Sequence, residues 1–205
     1  MINEKLKMKN NVIIGVVGQI AAGKGVLVNY LTSQLCFTSY SLSSIVHEEL
    51  KKKGIQKFTR QTLQDLGDEL RRGYGDEVLA RRLFEAIKEQ KKTSIVIEGI
   101  RNPAEIVFLK KNHSFILIGV KANRELRFKR LLSRGKQWDP KTYEDFLKID
   151  RRDIGVGQYK SGQQVGKCLD YCDYTLTNNK DLKDFESKIE KLFVHKLFPS
   201  QFVGK

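Results

Sequence analysis

The run Gly18-Gln19-Ile20-Ala21-Ala22-Gly23-Lys24-Gly25 combines residue types and a spacing that can do chemistry. It fits the frame GxxxxGK and sits between an apolar, β-branched run, residues 12–17, and the helix-period stretch GVLVNYLTSQL. Each part has a physical reason. Gly18 and Gly23 allow backbone angles that other residues resist, Ala21 and Ala22 keep bulk away, and successive N–H groups at a helix N-terminus attract an anion. Lys24 adds a mobile cation suited to β- and γ-phosphates. The chemistry implied is the binding of ATP by residues 18–26, with Gln19, Ile20 and Val26 completing the contact set. The Ser or Thr hydroxyl that commonly follows the lysine and reaches Mg²⁺ is missing, because the next two residues are Gly25 and Val26. Any Mg²⁺ must then be held by nucleotide oxygens, water and a carboxylate from elsewhere.

The elements that position this loop can be read from periodicity. Apolar runs at NVIIGVV (11–17), TSIVIEG (93–99) and SFILIGV (114–120), with weaker ones at FTSYSL (37–42) and CDYTLT (172–177), suit five strands buried between helix layers. Helix-period segments alternate with them. The pattern predicts an α/β protein with a doubly wound, five-stranded parallel sheet. Asn102 and Asp181 are expected helix N-caps, with Pro103 at a first helical position, and Gly54 is expected to end a helix in a left-handed conformation. Residues 42–75 and about 135–166 fall outside the alternation and are long enough to leave the sheet and return. One domain spanning 1–205 is expected, since single domains commonly reach this size.

Lys-Gly at the end of the loop resembles the P-loop nucleoside monophosphate kinases of the adenylate and cytidylate kinase type, near the deoxynucleoside monophosphate and dephospho-coenzyme A kinase-like proteins. The resemblance continues in order along nearly the whole chain. IVIEGIRN resembles the third-strand signature of these kinases, which implies Glu98 as the water-mediated Mg²⁺ contact and Arg101 as an acceptor-phosphate ligand. RFKRLLSRG resembles the arginine pair that opens their lid, implying catalytic roles for Arg130 and Arg134, and DRRDIG resembles the Arg-x-Asp on its far side, implying Arg151 and Asp153. CDYTLTNN resembles the segment that skirts the adenine, which implies Asn178. The resemblance therefore implies an acceptor-binding insertion at about 42–75, a lid at about 135–166, and ATP with Mg²⁺ as cofactors.

The acceptor side is less regular. TRQTLQDLGDELRRGYG resembles a segment of P-loop kinase-like proteins, and on a helix Arg60, Gln64 and Arg71 face broadly one way, being four and then seven positions apart. Ser41 precedes the helix where adenylate-type kinases bind their acceptor, and His47 stands where they carry Arg; it is read as a ligand or, preferably, as a partly buried helix residue. An acceptor that is itself a phosphate monoester is already an oxyanion at neutral pH and needs no general base. A hydroxyl acceptor needs a carboxylate beside the loop, and FTSYSLSS offers only hydroxyls, although Asp65 or Asp68 could approach from the next helix. The expectation is transfer from ATP to a nucleoside or deoxynucleoside monophosphate; the alternatives are a dephospho-coenzyme A kinase-like reaction and a P-loop nucleotide-binding protein or regulatory ATPase without transfer.

Composition agrees with this class. The chain has 40% hydrophobic and 30% charged residues, no apolar run of membrane-spanning length, and a polar N-terminus lacking a signal core, so a cytoplasmic protein is expected. A formal charge of +14 attracts anions, but zinc-finger spacing and the Gly/aromatic pattern of RNA-binding sheets are absent, so small nucleotides rather than nucleic acid are the expected partners. Cys36, Cys168 and Cys172 form an odd set, read as packing residues of a reducing compartment.

Overall fold

The computed structural model describes residues 12–90, 94–112 and 114–199. The polar N-terminal segment lies outside this range. Five strands, β1 (Val12–Gly18), β2 (Thr38–Ser41), β3 (Ser94–Glu98), β4 (Phe115–Lys121) and β5 (Tyr174–Thr177), form one sheet in the order β2-β3-β1-β4-β5. Every pairing is parallel. Side chains of the central strands point into apolar clusters on both sheet faces, which is why these segments read as continuous hydrophobic runs rather than alternating ones.

One face is covered by α1 (Lys24–Gln34) and α9 (Leu182–Lys191), whose Leu27, Leu31, Phe185 and Ile189 pack on Ile14, Val16 and Val96. The other is covered by α2 (Leu42–Lys52), α3 (Arg60–Tyr74), α4 (Val78–Ile87), α5 (Pro103–Leu109) and α8 (Val165–Asp170). α6 (Arg124–Arg134) leads into the segment carrying α7 (Tyr143–Ile154), and Phe146 of α7 packs with Leu131 and Ile20 in a small separate cluster. That contact ties the 135–166 segment to the phosphate loop itself. Among the described residues no helix is long and apolar enough to cross a membrane.

The helix ends follow their local chemistry. Asn102 accepts from the Ala104 N–H at 2.9 Å, Glu105 reaches back to the Asn102 N–H at 3.1 Å, and Pro103 occupies the first turn. Asp181 accepts from the Asp184 N–H at 2.8 Å, and Gly54 takes φ 71° after α2. Cys168 is buried in the core, and burial pushes its thiol up; Cys172, beside it and next to Asp173, is pushed up to about 12, mainly by burial. Both thiols are therefore unreactive near neutral pH.

Candidate nucleotide and acceptor site

The loop, Ser41 and Glu98 gather at the carboxyl ends of β1, β2 and β3, where open parallel sheets place their ligands. Gly18 passes so close to β4 that a Cβ on it would meet the Val120 carbonyl oxygen at 2.2 Å. Gly23 has φ 111°, and a Cβ there would meet Asn178 Nδ2 at 2.3 Å. Both glycines are thus fixed by backbone geometry and close contact, not only by affinity for phosphate.

The way the loop is held bears directly on anion binding. Four of its carbonyls have side-chain donors: Lys24 Nζ donates to Gly18 O at 2.7 Å and Gln19 O at 2.9 Å, Arg127 to Ile20 O at 3.3 Å, and Asn178 Nδ2 to Ala22 O at 2.9 Å. Among the described residues no side chain accepts from the N–H groups of Ala21, Gly23, Lys24 or Gly25, and no side chain caps α1. These donors lie at the positive end of a helix dipole.

Arg127 was not picked out by sequence. It is buried on α6 and forks onto Asp150 of α7, with one arm at 2.9 Å, while also holding the Ala122 and Ile20 carbonyls. Two fully buried charges of opposite sign thereby connect α6, α7 and the phosphate loop.

A cavity opens from the loop, lined by Lys24, Glu98, Arg60, Arg101 and Arg134. Ser41, His47, Gln64 and Arg71 also lie on its wall, so residues from β2, α2, α3, β3 and α6 converge on one space. Burial, reinforced by the Arg101 charge and opposed by Asp153 and Glu98, pushes Lys24 down to about 7. Phosphate oxygens favour the charged lysine, so nucleotide binding above that pH should draw in a proton, and affinity should fall as pH rises from about 7 toward lysine's usual value near 10. Calorimetry of ATP binding at about pH 8, in buffers of different ionisation enthalpy, should show net proton uptake that Lys24→Met lacks. Uptake that persists in the variant would contradict the assignment.

The cations of the cavity are answered by the protein's own carboxylates. Buried Asp139 accepts from Arg134 at 2.6 and 2.8 Å and from Arg60 at 3.2 Å; although burial works the other way, these guanidinium groups hold its carboxyl below the usual range. Arg101 pairs with Asp153, which is 2% exposed and leaves Oδ2 without a partner. The cavity holds about 180 Å³ and shares Ser41, Ser43, His47 and Glu98 with a more open hollow of about 440 Å³.

Not every expected residue joins this group. Arg130 donates to the Asn178 carbonyl at 2.9 Å, to Asn178 Oδ1 at 3.1 Å and to Lys180 O at 3.2 Å, outside the cavity wall. Arg151 is exposed on α7 and also outside it; its neighbour Arg152 pairs with Asp65 and Asp68 instead. The structure thus brings Arg101 and Arg134 together with Arg60 on the cavity wall and leaves Arg130 and Arg151 off it. Arg71 reaches the wall but has its guanidinium engaged by Glu105, at 2.9 and 3.0 Å, and by Asp68 at 3.2 Å, so its visible role is to brace α3 against the start of α5. Asn178 is spent on the loop backbone and on Arg130. His47 is half-buried against Phe58 and Trp138, and burial, with Arg60 and Lys136 nearby, lowers its pKa.

For Mg²⁺ the residues fit a nucleotide-borne ion. Glu98 is the carboxylate at the loop's edge, and among the described residues no cluster of three or more His, Cys, Asp or Glu forms a metal cage. Mg²⁺ commonly keeps several waters and binds through one or two carboxylates plus substrate phosphates.

The parallel sheet, its strand order and a phosphate loop between β1 and α1 define a P-loop protein of the kinase-fold type. The chain belongs to the UPF0200 family: it is 30% identical over 183 residues to a UPF0200 protein of Hyperthermus butylicus, covering 89% of this chain and 94% of that one. It is 32% identical over 170 residues to one of Methanothermobacter thermautotrophicus, covering 82% of each. No protein-family profile matches. Among solved structures, TT1252 from Thermus thermophilus aligns over 92% of this chain and 99% of its own with a TM-score of 0.59 at 18% identity. A shikimate kinase from Bacteroides thetaiotaomicron aligns over 88% and 95% with 0.52 at 15% identity, a likeness of fold.

Proposed function

We propose that the protein transfers the terminal phosphoryl group of ATP to a nucleoside or deoxynucleoside monophosphate. The observation that carries this reading is the cavity in which Ile20, Ala21 and Lys24 of the loop share one wall with Arg60, Arg101 and Arg134. One set suits the donor phosphates; the other suits an acceptor that is also an anion.

Phosphoryl transfer asks a protein chiefly for alignment and charge neutralisation. In this reading the loop and Lys24 hold the donor, and Arg101 and Arg60 bind the acceptor phosphate through the paired N–H groups that suit phosphate oxygens. Arg134, at the root of the 135–166 segment, adds charge at the transferring group. Glu98 is the residue that would hold Mg²⁺ through water, and the ion when bound would supply neutralisation of phosphate charge. Asp139 and Asp153 occupy the arginines until phosphates replace them, and closure of the 135–166 segment then excludes water.

A hydroxyl acceptor is the second reading, and Glu98 on the cavity wall or the unpartnered Oδ2 of Asp153 would have to take its proton. Asp65 and Asp68 pair with Arg152, and Asp153 with Arg101. The test is ADP release with ATP and Mg²⁺ across the common nucleoside and deoxynucleoside monophosphates and dephospho-coenzyme A. Release should depend on a monophosphate and be absent with dephospho-coenzyme A; acceptor-independent release, or none beside confirmed ATP binding, defeats the proposal.

A further inference from the structure

The cavity has a second half that phosphoryl chemistry leaves unused. Val46, Leu63, Gly67 and Leu79 line it, and a Cβ on Gly67 would meet the Arg71 guanidinium at 3.5 Å. Into this slot comes Gln64, only 2% exposed, beside the buried Gln163 and Arg71. Its Nε2 donates to Gln163 Oε1 at 3.0 Å, while its Oε1 is buried without a partner. Native proteins rarely leave a buried amide group unmade, and such groups collect where a ligand completes them. Exchanging O and N in both amides turns the unmade acceptor into an unmade donor without filling it.

The outer side of the cavity is aromatic. Trp138 stacks on Phe58 with centroids 5.5 Å apart and planes at 30°, and its carbonyl accepts from the Arg60 N–H at 3.2 Å. Arg60 and Gln64 stand one turn apart on α3, about 5–6 Å between Cβ atoms, a span that suits the phosphate and the ring of one small molecule.

We propose that this half of the cavity reads the acceptor's base: a planar heterocycle enters between the apolar wall and Trp138, and Gln64 hydrogen-bonds its edge. Gln163 is the positioning residue, fixing the Gln64 amide. The proposal rests on the transfer reading above and adds to it the residue that selects the base. Because Gln163 and Trp138 both come from the 135–166 segment, a matching base also favours closure.

The test uses the whole protein and calorimetry with AMP, CMP, GMP, UMP and their deoxy forms, with ribose 5-phosphate as the ringless probe. At least one monophosphate should bind much more tightly than ribose 5-phosphate and change the fluorescence of Trp138, the single tryptophan. Gln64→Leu, similar in size, should weaken that monophosphate about tenfold or more while ATP affinity is unchanged; Gln64→Met serves if the leucine variant does not fold. Gln163→Leu should alter the ranking of the bases but not ribose 5-phosphate binding. Equal binding of ribose 5-phosphate and the best monophosphate, or wild-type affinity in the Gln64 variant, overturns the proposal. If ribose 5-phosphate accepts the phosphoryl group as well as any monophosphate, this subsite fails and transfer stands. If monophosphates bind through Gln64 yet yield no ADP, transfer fails and the subsite stands.

Discussion

Acceptor-dependent ADP release by Lys24→Ala should be lower than wild type by about 10²- to 10³-fold, the usual effect of removing one charged donor aimed at the transferring group. The lysine is held over the loop by the Gly18 and Gln19 carbonyls, within reach of any phosphate the loop N–H groups bind. Its loss should not unfold the protein, because burial already disfavours the charged form and pushes it down to about 7. Kinetics and thermal unfolding on the same preparation separate the two effects. A variant with wild-type turnover would remove Lys24 from the chemistry, and one that unfolds would show that its loop contacts are structural.

The largest stability effect is expected at Arg71, whose partner Glu105 has no exposed surface. Arg71→Met leaves that carboxylate buried and facing only the backbone N–H groups of Arg101 and Asn102. Breaking a buried pair in this way costs about 3–5 kcal/mol, or roughly 10 °C in thermal midpoint for a chain of this size. The double variant Arg71→Met with Glu105→Gln should recover a large part of the loss, since no uncompensated charge remains. A single variant that melts within a degree or two of wild type would mean that Glu105 takes up a proton or finds another partner. Because Glu105 also fixes the backbone at Arg101, the single variant should in addition raise the KM for the acceptor.

The sheet and the loop were legible in the sequence for the same physical reason: both are local patterns. Strands buried on two faces show as apolar runs, and GxxxxGK between a strand and a helix leaves few alternatives. The convergence of Arg60, Gln64 and Arg71 on one wall followed from helical period alone. The sequence did not show which charges neutralise each other. Arg127 and Asp150 lie 23 positions apart, Arg71 and Glu105 34, and Arg60 and Asp139 79, and no periodicity links residues so distant. Arg71 therefore looked like a ligand when most of it is a brace, and Arg130 and Arg151 looked like partners of Arg134 when one holds the 178–180 backbone and the other faces solvent. α7 and α8 were hidden because each presents only a narrow apolar face, Phe146 of α7 packing with Ile20 and Leu131 and Val165, Cys168 and Leu169 of the short α8 joining the main core.

Gly25 differs from the other two loop glycines in one respect. A Cβ there meets nothing within 4 Å, whereas at Gly18 and Gly23 it collides with Val120 and Asn178. A Cβ at this position therefore meets no clash, unlike one at Gly18 or Gly23. If the proposed transfer holds, position 25 is the place where a side-chain hydroxyl for Mg²⁺ could be added as an independent variable, so that metal affinity and turnover would become separable quantities within one fold.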